Sequence, residues 1–513
     1  MRNFCVEATA PVTTDASSPS GRVGVVRNRN FFPFPILWFA IIALEISLVA
    51  VLSIADSDIW FHLRNAQQLL TSYSFLHRDL YTFTSSGTPL LNFEWLSELP
   101  YYMAFQAYGL RGLLAVYLVV LWLIFGGMYY LALWRGANCG DAALVTMAAV
   151  ILGFYSFGPR MLHFGWLCLT ADLIILERFQ RTGKGLWVLP PLFALWINLH
   201  GSWVFGLFVL GVYIGSGMVE GRWGRVAAER WTPAQLRKLA VILVASTAAL
   251  LANPYGYKLV WYPFDLLFRQ RPVLDKIVEW QSVDFHTGYG KLAMLMIFGL
   301  LAVTLLSRDR WELRDVLLVA FAVWTSLAHV RFLLFAAIVL IPIIATRVHV
   351  FALYDPKKDK PWLNFAMTAA IAGLIFWTYP SKSQLQTGID THFPRAALQF
   401  MQQNQISGRP FHLYDYGGYI EWNAPAIKTF VDGRADIFIY NGVFDDYLKV
   451  NRIEQPLELL DKYRIDYVLF PIDKHLCYVL DRSAEWRTIY EDKVAKLYAR
   501  APAAAAPLKA ESE

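Results

Sequence analysis

The segment Glu94-Trp95-Leu96-Ser97-Glu98-Leu99-Pro100-Tyr101-Tyr102-Met103-Ala104-Phe105-Gln106-Ala107-Tyr108-Gly109 decides how the chain is threaded. It is apolar enough to pass for a membrane span. Yet it opens on two acids and carries Pro100 and Gln106, which suit a helix lying in the membrane surface. Around it stand eleven apolar runs that are candidate spans, a span usually needing about 17 to 25 residues: 34–55, 112–134, 141–159, 161–177, 186–199, 203–219, 239–253, 291–307, 315–328, 332–346 and 363–379. Charged residues make up only 17% of the chain, against about 25% in soluble domains. The sequence therefore reads as a polytopic α-helical membrane protein with about eleven transmembrane helices. A net charge of +6 is no nucleic-acid signature, and four scattered cysteines give neither a disulfide framework nor a zinc site.

Loop charge tests the threading. If 94–109 does not cross, the N-terminus and the segments 135–140, 178–185, 220–238, 308–314 and 347–362 share one side with roughly 20 Lys and Arg. The opposite loops, of similar total length, hold roughly 9. The basic side is cytoplasmic by the positive-inside rule. Residues 1–33 are then a cytoplasmic N-terminal segment and 34–379 the transmembrane domain, with a first outer loop over 56–111. Beyond 380 the chain lies outside. There, helices at 394–405 and 441–463 and strands at 410–414, 427–431, 466–471, 486–490 and 494–499 predict a small α/β domain over 380–500. The Ala/Pro-rich tail 501–513 is expected to be disordered.

This threading gathers the polar clusters on the outer face: Asp56-Ser57-Asp58, Arg160 with His163, Asn198-Leu199-His200, Asn253-Pro254-Tyr255-Gly256, Glu279-Trp280 and His329-Val330-Arg331. His200 is the only charged or histidine side chain between Leu186 and Val219. That run is too long for one crossing and must turn. The turns at His200 and at His329–Arg331 are expected to dip into the membrane and line an outward cavity, since irregular backbone at that depth must line a cavity or be buried in protein.

An aspartate at such a boundary can act as a general base or bind a metal; the bland alternative is that Asp56 caps the helix starting near Ile59 while Asp58 is solvated. Glu94 can hold a substrate group or join a metal site, or simply stabilise a helix N-terminus. Arginine's planar fork suits a phosphate, so Arg160 and Arg331 are candidate phosphate ligands, with snorkelling to headgroups as the alternative. His163, Asn198, His200 and His329 are candidate sugar or phosphate contacts, although such histidines also occur as packed hydrogen-bonding residues. Asp415, Asp432 and Arg434 mark polar turns of the outer domain. Asp172, inside a span, is expected to make a structural polar contact.

The blocks Asp58-Ile59-Trp60-Phe61-His62-Leu63, Asn92-Phe93-Glu94-Trp95-Leu96, Trp196–Gly201 and Asn253–Gly256, with the overall layout, resemble the GT-C superfamily of integral-membrane glycosyltransferases, in a bacterial branch. The resemblance implies an inner-membrane enzyme that moves a sugar from a polyprenyl-phosphate-linked donor to an acceptor glycan, lipid or protein on the outer face, usually with inversion. The role of base or metal ligand would fall on Asp58 or Asp56, Asp58 leading the block most like the family's. A divalent cation, Mg or Mn, would be the cofactor. The competing readings are a non-catalytic assembly subunit and a transporter of lipid-linked saccharides in envelope polysaccharide synthesis.

Overall fold

The computed structural model describes residues 32–269, 277–439 and 441–501. The N-terminal segment and the tail expected at either end fall outside these, but for their boundary residues. Among the described residues, eleven helices run alternately between two poles, here called upper and lower.

Helix α1 (Phe34–Ala50) rises to the upper pole, where α2 (Ile59–Ser72) and α3 (Trp95–Tyr108) remain. At one end of α3, Trp95 Nε1–H donates to Asn198 at 2.9 Å. At the other, Gly109, with φ +61°, reverses the chain into α4 (Leu110–Trp134), which descends. Both ends of α3 thus lie at the upper pole, as its acids and proline led us to expect. Next, α5 (Cys139–Gly153) rises, α6 (Leu162–Thr182) descends, α7 (Leu189–Leu199) rises, α8 (Trp203–Ser216) descends and α9 (Pro233–Ala249) rises. Helix α10 (Tyr257–Arg269) stays above. Then α11 (Gly288–Leu306) descends, α12 (Leu313–Ala328) rises, α13 (Leu333–Ile344) descends and α14 (Pro361–Thr378) rises.

Local chemistry sets several of these boundaries. Thr232 and Gln235 form a reciprocal capping box at the start of α9. Gly183, with φ +68°, ends α6. Phe34–Ser53, Leu110–Trp134, Cys139–Ser156, Gly288–Leu306 and Pro361–Thr378 are long and apolar enough to cross a membrane by length and composition. Leu186–Leu199, Trp203–Ser216 and Val330–Ile344 are apolar but shorter. The 11 residues of α7 cover about 16 Å at 1.5 Å per residue, roughly half of a bilayer core.

The lower pole is tied by a buried ionic knot. Asp315 accepts from Arg135 at 2.7 Å and from Arg347 at 3.3 Å. Arg314 lies between Asp315 and Glu177, and Glu177 holds Arg181 at 2.9 Å. The four arginines come from loops that the charge count placed together. A small sheet, β1 (Gly221–Trp223), β2 (Val226–Ala228) and β3 (Trp311–Glu312), joins two of them. No alternation in the sequence announced it. Asp172 departs from expectation: it is fully buried and neither carboxylate oxygen has a hydrogen-bond partner among the described residues.

The C-terminal region is built on a four-stranded sheet. Its strands are β4 (Pro410–His412), β5 (Tyr467–Pro471), β6 (Trp486–Glu491) and β7 (Ala495–Arg500), in the order β4-β5-β7-β6. Strand β4 is parallel to β5 and the other pairs are antiparallel. The helix expected at 394–405 is observed at Arg395–Gln403. The one expected at 441–463 breaks near Gln455, at φ +53°, into Val443–Asn451 and Pro456–Lys462. The strand expected at 427–431 is absent, because its backbone pairs elsewhere. Thr429 bridges Thr82 of the first loop, the Phe83 and Thr429 N–H groups donate across the seam at 3.1 Å each, and Thr84 Oγ1 donates to the Phe430 carbonyl. Leu76, Tyr81 and Leu90 pack into the same core as Phe411, Phe430 and Phe470. A boundary drawn at 380 therefore divides the sequence but leaves part of the first loop inside the C-terminal core.

Removing the centre of the lower knot with Asp315→Ala leaves three largely buried guanidinium groups short of a carboxylate. The expected cost is about 3–5 kcal/mol, read as a clear drop in melting temperature of the detergent-solubilised protein.

Candidate active site at the upper pole

The acidic turn after α1 separates its two aspartates into different jobs. Asp56 is buried, and both its oxygens are engaged. Oδ1 accepts the Asp58 N–H at 2.9 Å, and Oδ2 accepts Arg160 Nε–H at 2.6 Å. Arg160 also pairs with Glu279 through Nη1. Gly158, with φ +151°, lets the backbone come close: a Cβ there would sit 2.7 Å from Asp56 Oδ2. The Gly158 N–H donates to the Tyr117 hydroxyl at 2.8 Å. Asp56 is thus a turn-forming and ion-paired group.

Asp58 has no such support. Ser57 Oγ donates to its Oδ1 at 3.3 Å, and Oδ2 accepts nothing from the described residues. Burial, with the Asp56 and Glu279 carboxylates adding and Arg160 only partly offsetting, raises its carboxyl to about 7. A carboxyl poised there exchanges its proton near neutrality, as a general base must.

A second chain of titratable groups begins one helical turn along α2. His62 Nδ1 meets Glu98 Oε1 at 2.9 Å, and its Nε2 faces Glu94 at 3.6 Å. Asn65 and Asn92 both donate to Glu98, at 3.0 and 2.8 Å. Beyond Glu94 stands His200. The Ser202 N–H donates to His200 Nδ1 at 2.9 Å, which leaves the proton on Nε2, 3.3 Å from Glu94 Oε1. Burial, with Arg331 adding, holds His200 well below its ordinary value, hence neutral. Burial also lifts Glu94 to about 7 despite His62. At His62, burial is outweighed by the Glu98 hydrogen bond and the Glu94 charge, and the imidazole lies above its ordinary value.

Arg331 is the unusual cation. Its guanidinium lies 4.5 Å from the Trp280 ring centroid, a cation–π arrangement. Its buried Nε has no partner, and no carboxylate among the described residues pairs with it. Its charge nonetheless acts on Glu94, Glu279 and His200. His329 donates from Nδ1 to the Trp280 carbonyl at 2.6 Å.

The structure thus brings Asp56, Asp58, Glu94, Arg160, His200, His329 and Arg331 to one pole. Two sequence candidates take other places. Asn198 is saturated: its amide donates to the Ala194 and Ala252 carbonyls, and its oxygen accepts from Trp95. It is a strut between α3, α7 and the end of α9. His163 is fully buried, with Nδ1 on the Arg160 carbonyl and the ring against Tyr117. Of the residues not singled out, His62 and Glu98 were signalled by spacing. Each lies four residues after an acid, Asp58 and Glu94, on the same helix face. Asp415 is exposed at the rim, within the fields of Asp56 and Arg160. Asp432 and Arg434 are buried and paired with each other. No three His, Cys, Asp or Glu side chains among the described residues gather as a cation would require. Of the two acids proposed as metal ligands, Asp56 is already committed to Arg160, so the pair does not offer a cation two free carboxylates.

An apolar groove of about 620 Å³ runs between α3, α4, α6 and α7, with Leu96, Pro100, Leu123, Phe164, Ile174 and Leu199 in its walls. Two of its wall residues, Leu96 and Leu199, stand two positions past Glu94 and one before His200.

No family model and no curated protein matches the chain. Two solved structures are similar in overall chain course. One is the Archaeoglobus fulgidus oligosaccharyltransferase tethered through a disulfide bond to an acceptor peptide containing the NVT sequon. It is 13% identical with a TM-score of 0.49, over 91% of this chain and 74% of that one. The other is ArnT from Cupriavidus metallidurans bound to undecaprenyl phosphate. It is 11% identical with a TM-score of 0.49, over 92% of this chain and 99% of that one. No residue of the upper pole is assigned from either.

Proposed function

We propose that the chain is a membrane glycosyltransferase that takes a sugar from a polyprenyl-phosphate-linked donor and passes it to an acceptor hydroxyl at the upper pole, which faces out of the cytoplasm. The observation that carries this reading is the pairing of opposites at one site: a carboxyl poised near neutrality with a free oxygen, and a guanidinium with no carboxylate of its own. A phosphate supplies the charge that Arg331 lacks, and a planar fork receives it bidentately. The apolar groove beside Glu94 and His200 suits the polyprenyl chain, which explains why a polar transfer is done by a membrane protein. The blocks that resemble the GT-C superfamily lie on these same elements.

In this reading Asp58 Oδ2 removes the proton from the acceptor hydroxyl as the hydroxyl oxygen bonds to the anomeric carbon. The bond from that carbon to the phosphate oxygen breaks, and Arg331 takes up the charge left on the phosphate. Attack from the face opposite the leaving phosphate inverts the anomeric centre. Arg160, already shared by two carboxylates, holds the turn instead of the donor. Glu94 and neutral His200 present a hydrogen-bonding floor for sugar hydroxyls.

Asp58→Asn is expected to insert and melt like the unaltered protein and to lose at least about 100-fold in transfer, measured with a radiolabelled polyprenyl-phosphate hexose and membrane acceptor. Asp56→Asn is expected to lower the melting temperature, because it strips Arg160 of one partner. Full transfer by Asp58→Asn would overturn the reading. The pH profile follows from the sign of the Asp58 shift. The base works deprotonated, so the rate should climb about tenfold per pH unit up to about 7 and then level. A rate that falls across that range would contradict a carboxylate base.

A further inference from the structure

The N-terminal turn of α2 is touched from above by two glycines of the C-terminal region. A Cβ on Gly433 would lie 2.6 Å from Asp58 Oδ1 and 2.5 Å from Phe61 Cε1. The backbone of Gly433 is outside the left-handed region, so space and not conformation calls for glycine there. A Cβ on Gly418 would lie 3.0 Å from the Phe61 nitrogen. From below, Gly158 stands as close to Asp56. The acidic turn is therefore held between the membrane helices and the C-terminal region, with no room for a methyl group on either side.

The segment that carries Gly433 is fixed to the first loop. Arg434 donates from Nε and Nη2 to Asp432 and from Nη2 to Asp79 Oδ1 at 2.8 Å. Asp79 in turn accepts from the Tyr81 and Thr82 N–H groups and from the Thr82 hydroxyl. The Arg434 guanidinium also lies 5.0 Å from the Tyr81 ring centroid. All three charged residues are buried. Position 433 is thus set by the loop that follows α2 as much as by its own domain.

We infer that the Val431–Arg434 segment is a positioning element for Asp58, with Gly433 as the contact that fixes its carboxylate so that Oδ1 is held and Oδ2 meets the acceptor hydroxyl. This rests on the reading of Asp58 as the base. Oδ1 has Ser57 and the flat face of Gly433; Oδ2 has no protein partner among the described residues. A methyl at 433 must push the carboxylate or the Phe61 ring from 2.6 Å toward ordinary contact at 3.4 Å or more. A displacement of about 1 Å at a reacting group costs about 100-fold in rate.

The test uses the full-length protein in nanodiscs with two readouts. Infrared difference titration follows the carboxyl band that is missing from Asp58→Asn, and transfer is followed from the radiolabelled polyprenyl-phosphate hexose. Gly433→Ala is expected to move the midpoint of that band and to lower kcat about 100-fold with KM little changed. Gly299→Ala, which meets nothing within 4 Å, should do neither. Arg434→Lys keeps the charge but loses the fork, and serves if Gly433→Ala does not fold; it should shift both readouts in the same direction. A band and a kcat like those of the unaltered protein in either folded variant overturn the inference. Full transfer by Asp58→Asn instead overturns the functional reading and the base role assumed here with it, while an unmoved band in Gly433→Ala sinks the positioning claim alone.

Discussion

The upper pole hangs on one guanidinium. Arg160 sits between α5 and α6 and reaches two carboxylates from distant segments, Asp56 and Glu279. Buried ion pairs are costly to desolvate and hold only where the geometry is tight, so this contact fixes three loops against one another. It also separates two like residues in one short motif. Asp56 receives a cation and an amide. Asp58, two residues on, is left among negative charges with little water. Its raised affinity for a proton comes first from burial, with the Asp56 and Glu279 charges adding and Arg160 only partly offsetting them.

The lower pole answers with its own ionic knot around Asp315. Between the two, the helices meet almost entirely through apolar side chains, and such contacts have no direction. Leu, Phe and Ile surfaces alone would let neighbouring helices slide or rotate at little cost. The polar groups at the ends supply what the middle cannot, a single register for each helix. Short helices such as α7 and α13 sharpen the point, since His200 directly follows the one and Arg331 stands just before the other.

How much of this could be read from sequence follows from the range of the interactions. Apolar runs are local, and each of the eleven falls on an observed helix. Loop charge is nearly local, and it sorted Arg135, Arg181, Arg314 and Arg347 to one pole correctly. Glu94, Glu98, Pro100 and Gln106 set α3 apart from the apolar runs, and both its ends lie at the upper pole. What was hidden depends on partners hundreds of residues away. Nothing near Thr429 says that its backbone pairs with Thr82 and not with a strand of its own sheet. Nothing near Arg160 says that its charge is spent on protein while that of Arg331 is not. Nothing near Asn198 says that its amide is taken up by three protein partners from other turns of the chain. The glycines at 158 and 433 are unremarkable by composition, and only the atoms beside them give them meaning.

The seam between the first loop and the C-terminal region sets an order of events during synthesis. Thr84 bonds Phe430 across 346 positions of chain, so the first loop is made long before its partner segment exists. Until then residues such as Leu76, Tyr81 and Leu90 have no core to enter, and closing so large a loop is the entropically expensive step. A chain cut short before that point can still thread its helices through the membrane, but it carries an acidic turn with nothing above it. The upper pole is in this sense assembled late, once the segment that carries Thr429, Phe430 and Gly433 has been made.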